Sequence, residues 1–150
     1  MKPGFLRATL AVVLVSSTRL APERPTFADL FGRWKVAKMV GATPITGDQK
    51  SAGQPIGTTI SISADRITTY EDSGGFCRPR NPKVTLVDTE AELQNNWGTK
   101  ITGLYLPRGV VKAQLPLMDA GCVAALILDH NTLLWTMGNG YIYTVKRQPR

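Results

Sequence analysis

Phe31-Gly32-Arg33-Trp34-Lys35-Val36 is the stretch on which the fold turns. A glycine two residues ahead of a tryptophan, at the opening of an apolar strand, suits the closed end of a small β-barrel. The glycine permits a close backbone approach, and the indole can plug the floor while its N–H finds an acceptor. A barrel closes only if its first strand meets its last. The matching partner lies at the far end of the chain, where residues 133–137, the turn Gly138-Asn139-Gly140 and residues 141–147 read as a hairpin.

Outward from these two anchors, residues 33–40 form the first strand, followed by a long Gly-, Pro- and Thr-rich connection over 41–55 with Gly47-Asp48 as a turn. Residues 57–63 alternate, with Ile60 and Ile62 on one face against Thr59, Ser61 and Ser63 on the other. Ala64-Asp65-Arg66 turns the chain into a returning strand over 67–71, and residues 72–75 make a second turn. Pro79 and Pro82 bar residues 76–83 from any central strand, because proline cannot donate to a ladder. Residues 84–88 resume the sheet. Thr89-Glu90-Ala91-Glu92 has the pattern of a capping box, which predicts one or two helical turns over 90–95. A hairpin follows over 100–106 and 110–115 around Pro107-Arg108-Gly109, with Val111, Ala113 and Leu115 opposite Lys112 and Gln114. Residues 122–128 are apolar on both faces, which a strand tolerates only when something covers its outside. The closing hairpin shares Leu133, Trp135 and Met137 on one face and Tyr141, Tyr143 and Val145 on another. About eight strands with frequent turns and no repeat predict a single all-β domain, an antiparallel barrel or a strongly curved sandwich, with an up-and-down barrel as the expected form. Ile60, Ile62, Val84, Leu86, Leu126, Leu128, Leu133 and Trp135 are expected to fill it.

The N-terminus reads as a targeting segment. Lys2 and Arg7 precede a short apolar run over residues 8–15, and Val15 and Ser17 stand at −3 and −1 of a cleavage after Ser17. The run is too short to span a bilayer. Residues 1–17 are therefore a signal peptide, 18–30 an extended lead-in with a helical turn over 26–31, and 31–150 the barrel domain. In the lead-in Thr26 and Asp29 make an imperfect capping box. The expected location is the periplasm or the exterior. Two cysteines in such a chain form one disulfide, Cys77–Cys122. In a chain that stays inside the cell the same pair would be two buried thiols.

The chain carries a net charge of +7, and removal of residues 1–17 leaves 16 basic against 11 acidic residues, or +5. Its cations are scattered and no Lys/Arg run exceeds two, unlike the concentrated stripe of a nucleic-acid module. Catalytic signatures are also missing. His130 is the single histidine and sits between Asp129 and Asn131 in a turn. Neither ligand spacing for a metal nor a Gly-x-Ser-x-Gly elbow occurs. The expectation is a protein that is no enzyme and needs no cofactor.

Gly32-Arg33-Trp34 on the first strand, strands in meander order and a terminal cation together resemble the lipocalin-like (calycin) barrels, over residues 30–147. The resemblance implies that Trp34 packs under a cation from the last strand, a place that Lys146 or Arg147 would take. The residues of barrel closure are then Gly32, Trp34 and Arg147. It also implies two functional classes, since small bacterial members of this kind include hydrolase inhibitors as well as carriers. The first expectation is a binding protein whose loops block or mask a protein partner in the cell envelope. The alternative is a carrier that holds a small apolar ligand inside the barrel.

The residues singled out for partner binding are Arg78, Arg80, Lys83 and Trp97. Three cations follow Cys77 within a few residues, on a backbone stiffened by two prolines. Stiff loops lose less entropy on binding, and arginine suits bidentate capture of carboxylates. Trp97, among Gln94, Asn95, Asn96 and Gly98, reads either as a lid over the barrel or as an aromatic anchor.

Overall fold

The computed structural model describes residues 23–70 and 75–149. The proposed signal peptide lies outside the described residues. After a 3-10 turn at Ala28–Leu30 come nine strands and two helices. They are β1 (Gly32–Ala42), α1 (Gln49–Gly53), β2 (Thr59–Ile62), β3 (Ile67–Tyr70), β4 (Gly75–Cys77), β5 (Lys83–Asp88), α2 (Thr89–Asn96), β6 (Gln114–Asp119), β7 (Ala124–Asp129), β8 (Thr132–Thr136) and β9 (Tyr141–Arg147). All pairings are antiparallel, in the order β4-β3-β2-β1-β9-β8-β7-β6-β5. The result is one curled sheet, a half-barrel of up-and-down strands.

First and last strands meet as expected. β1 pairs with β9 from Trp34↔Arg147 to Ala42↔Tyr141, with register shifts after Val36 and after Met39. Each such shift sends one extra residue through the ladder and changes which side chains face inward. Trp34 and Val36 therefore enter the inner core, whereas Val40 enters the outer one.

The curl is covered on both sides. Inside, Trp34, Ile60, Ile62, Ile67, Met118, Leu133, Trp135, Tyr143 and Val145 pack without solvent access worth the name. Outside, Leu115, Leu126, Leu128, Leu134 and Ile142 meet Leu93 and Trp97 of the α2 region and Leu104. This is the cover that the doubly apolar β7 required. It also corrects the expected filling: Leu126 and Leu128 point to the outer core, not into the barrel, because β7 alternates as any strand does, and Leu86, on the edge strand β5, is 43% exposed. The closing hairpin is corrected as well: Leu133 pairs with Val145 and Trp135 with Tyr143, so its two apolar sets share one face in the inner core.

Three further expectations change. Residues 100–113 form no hairpin strand. They make a 3-10 turn at Ile101–Gly103 and a loop whose apolar side chains lie on the outer core. The strand begins later, at Gln114, and runs through Pro116. Pairing with β7 starts only at Leu117, so Pro116 owes no N–H to that side. The cap of α2 is Asp88 rather than Thr89, its carboxylate accepting from Ala91 N–H at 2.8 Å. Glu90 instead reaches forward and accepts from Ile101 N–H at 3.0 Å, tying the 3-10 turn to the helix. That bond, ahead of one from Gln94, holds its carboxyl below its ordinary value.

The long connection 43–58 holds α1, which sequence pattern did not reveal. Asp48 caps it through Ser51 N–H at 2.9 Å. Tyr143 donates its hydroxyl to Ala52 O at 2.8 Å and Tyr141 to Gly47 O at 3.1 Å. Asn139 in the β8–β9 turn donates to Ser51 O and to the Tyr143 hydroxyl. The connection is thus a lid pinned over one end of the half-barrel.

Candidate functional site: the stapled basic loop

The residues proposed to close the barrel come together. Arg147 lays its guanidinium over the Trp34 ring, 4.3 Å from the centroid. Trp34 donates its indole N–H to Leu30 O at 2.9 Å. Arg147 also donates to Phe31 O at 3.1 Å, to His130 O at 3.1 Å and to Asp29 O at 2.6 Å. One side chain therefore laces the lead-in, β1 and the β7–β8 turn over the indole. Gly32 adopts φ +132°, a conformation that side chains rarely take, and lies directly beneath the arginine. Lys146, the other residue open for this role, turns outward and donates to Thr132 at 2.6 Å. In the lead-in, Asp29 accepts from Thr26 N–H at 2.6 Å and from its hydroxyl at 2.8 Å. The Thr26 backbone bond, then its hydroxyl, and last the Arg147 charge hold the Asp29 carboxyl below its ordinary value, against partial desolvation.

A second junction lies between β4 and β5. These strands follow one another in sequence, yet they are the two edges of the sheet. The link between them, residues 78–82, crosses to the β6–β7 turn instead. Cys77 is disulfide-bonded to Cys122 across 45 positions, with Cα atoms 6.2 Å apart. Arg80 N–H donates to Ala120 O at 2.9 Å, and Arg78 O lies 3.6 Å from the Cys122 sulfur. Gly121, at φ +78°, leaves room for this contact, since a Cβ there would stand 3.0 Å from Arg80 O. Asn81 takes a left-handed turn at φ 47°, between Arg80 and Pro82.

On this fixed backbone Arg78, Arg80 and Lys83 are exposed. Among the described residues no ion pair and no side-chain hydrogen bond occupies any of them. Phe76, next to the staple, is half exposed, and Arg66 covers its ring at 4.5 Å. Trp97 is not gathered here. It is 5% exposed and belongs to the outer core with Leu93 and Leu104.

His130 sits in the β7–β8 turn, exposed, with its ring nitrogen 2.9 Å from the Asn131 amide. Among the described residues no group of three or more His, Cys, Asp or Glu could hold a metal, and no helix is long and apolar enough to cross a membrane.

One feature had no sequence signal, because it arises only where distant segments converge. A cleft of about 590 Å³ opens beside β5, lined by Leu30, Leu86, Pro116 and Ile127 together with charged residues that include Arg24, Lys112 and Asp129. Comparison with protein-family models, curated proteins and solved structures finds no match to this chain.

Proposed function

We propose that this chain is an exported, non-enzymatic binding protein of the lipocalin-like (calycin) type. Its stapled basic loop engages an acidic site on a protein partner in the cell envelope, in the manner of a hydrolase inhibitor. The observation that carries this reading is the loop itself. Among the described residues nothing compensates Arg78, Arg80 and Lys83, which stand on a backbone held by a disulfide, two prolines and the Arg80–Ala120 bond. A preorganised loop keeps the affinity that a flexible one would spend on ordering. The calycin part rests on the Trp34–Arg147 stack and the meeting of first and last strands. The interior supports a surface function over carriage of a small apolar ligand within the barrel. Trp34, Trp135, Tyr143 and Met118 fill it, and the α1 lid covers one end.

The test is capture from envelope extract by the purified protein and by the double variant Arg78→Glu/Arg80→Glu. Partners identified by mass spectrometry with the parent protein are absent with the variant. Their association rate falls with added salt, as expected for charges at a rim. Capture of the same proteins by both forms sinks the reading. Lipid retained in the native mass spectrum of the parent protein turns the assignment to a carrier.

A further inference from the structure

Among the described residues β5 is the last strand of the sheet, and one side of its backbone meets no other strand. The register identifies the groups concerned. Thr89 N–H donates to Ala113 O at 2.9 Å, and β5 pairs with β6 without a shift from Asp88↔Gln114 to Lys83↔Asp119. Bonded and non-bonded pairs alternate along an antiparallel ladder. Thr85 and Val87, in step with Thr89, therefore turn their N–H and C=O groups towards β6. Val84, Leu86 and Asp88 turn theirs to the open side. Pro116, opposite Leu86, fits this phase, which asks no N–H of it towards β5.

Native sheets blunt a free edge with a bulge, a proline or a covering segment. β5 has a straight register and no proline. Beside it, on the side shared with β6 and β7, lies a largely apolar cleft that Glu23, Arg24 and Pro25 of the lead-in also line. Leu86 is 43% exposed and shares the cleft of about 590 Å³ with Leu30, Pro116 and Ile127. The strand begins at Lys83, directly after the stapled loop. Along the chain, the outward backbone groups of β5 thus follow directly on a loop whose cations are unpaired among the described residues, and Leu86 opens on the cleft.

We propose that the open edge of β5 takes an extended segment of the protein partner as an additional strand. The segment's alternate apolar side chains enter the cleft and its acidic residues meet Lys83, Arg80 and Arg78. This rests on the basic-loop reading and names the form in which the partner arrives. An extended peptide is the occupant that satisfies all three features. Residues opposite Val84 and Leu86 place their side chains on the same face as those two, hence over the cleft. A lipid would leave the outward N–H and C=O groups of the strand without backbone partners.

The probe is an acetylated eight-residue peptide of alternating valine and threonine carrying two glutamates at one end, made in both orientations. Its control carries N-methyl groups on alternate residues, which removes the backbone donors from one edge. With the unmethylated peptide, amide exchange of Val84 and Leu86 slows at least tenfold, and the control gives no slowing. Leu86→Pro, which removes an outward donor but no ladder bond, abolishes the effect. Should that variant fail to melt cooperatively, Leu86→Lys keeps the ladder, charges the cleft and gives the same loss. Equal binding of peptide and control overturns the proposal, as does slowed exchange confined to other strands. A concentration-dependent dimer that Leu86→Pro dissolves assigns the edge to a second copy of this chain and also overturns it. The two readings separate cleanly in the capture experiment. Loss of capture with Arg78→Glu/Arg80→Glu but not with Leu86→Pro removes the strand-addition proposal alone. Capture untouched by either removes the basic-loop reading.

Discussion

Between β1 and β9 the protein joins the two ends of its described chain by a ladder that two register shifts bend but do not break, yet between β4 and β5 it leaves close neighbours unpaired. At the first junction the backbone does the joining, and side chains lock it: Arg147 over Trp34, with three carbonyls gathered by one guanidinium. At the second, prolines deny the backbone its donors, and a covalent bond to the β6–β7 turn takes over. Nearness in sequence is therefore a poor guide to pairing here. The ladder forms where donors and apolar faces match, and the sheet opens where they do not.

If the floor at Trp34 carries the first junction, its loss has the largest effect. Trp34→Ala removes a fully buried indole, its bond to Leu30 O and the platform for Arg147. The expected loss is about 3–5 kcal/mol in urea unfolding. A variant as stable as the parent would break the comparison at its stronger side.

The staple comes next. Cys77→Ser/Cys122→Ser frees a loop of 45 positions, and the expected loss is about 2–4 kcal/mol. The same variant sharpens the comparison, because amide exchange should quicken in β4 and in residues 78–82 before it does in β1 and β9. Uniform quickening across the sheet would mean that the two junctions are one cooperative unit.

A smaller effect comes from protons. The Asp29 carboxyl titrates below its ordinary value because folding gives it the Thr26 bonds. Its stabilisation is then fully present above the unfolded value and is lost as pH falls through the lowered one. Acid should loosen the lead-in beside the floor while leaving the stapled loop untouched. Asp29→Asn should flatten the acid limb of the stability profile. An unchanged limb in that variant would detach Asp29 from the floor.

Both junctions were legible in part, and unevenly so. Gly32, Trp34 and the closing hairpin could be read because tryptophan is scarce, glycine marks the turns and close approaches, and the spacing carries the strand period. Pro79 and Pro82 marked the break, since a missing donor needs no tertiary context. The apolar residues of 100–113 misled, because Ile101, Leu104 and Val111 cover the outer face from a loop, and periodicity does not distinguish cover from strand. α1 is five residues long, too short for a helical period to show. Trp97 has polar neighbours in sequence and apolar ones in space, since α2 sets it against the outer core. The cleft beside β5 was out of reach, because the lead-in, β5, β6 and β7 meet there only after folding.

The smallest expected effect tests whether the two junctions differ in purpose as well as in means. Arg147 at the floor is spent on the fold, since its donors are bonded to three carbonyls. Arg78, Arg80 and Lys83 at the staple have no such bonds among the described residues. Charges that hold nothing in place can be reversed at little cost, and surface substitutions of this kind stay within about 0.5 kcal/mol. Arg78→Glu/Arg80→Glu should therefore melt within about 1–2 °C of the parent, at low and at high salt alike. The backbone bond from Arg80 survives the change, because it uses only the amide. A melting temperature that falls as far as it does without the disulfide would show that the cations brace the seam, and the loop would then be part of the fold rather than a surface held ready for a partner.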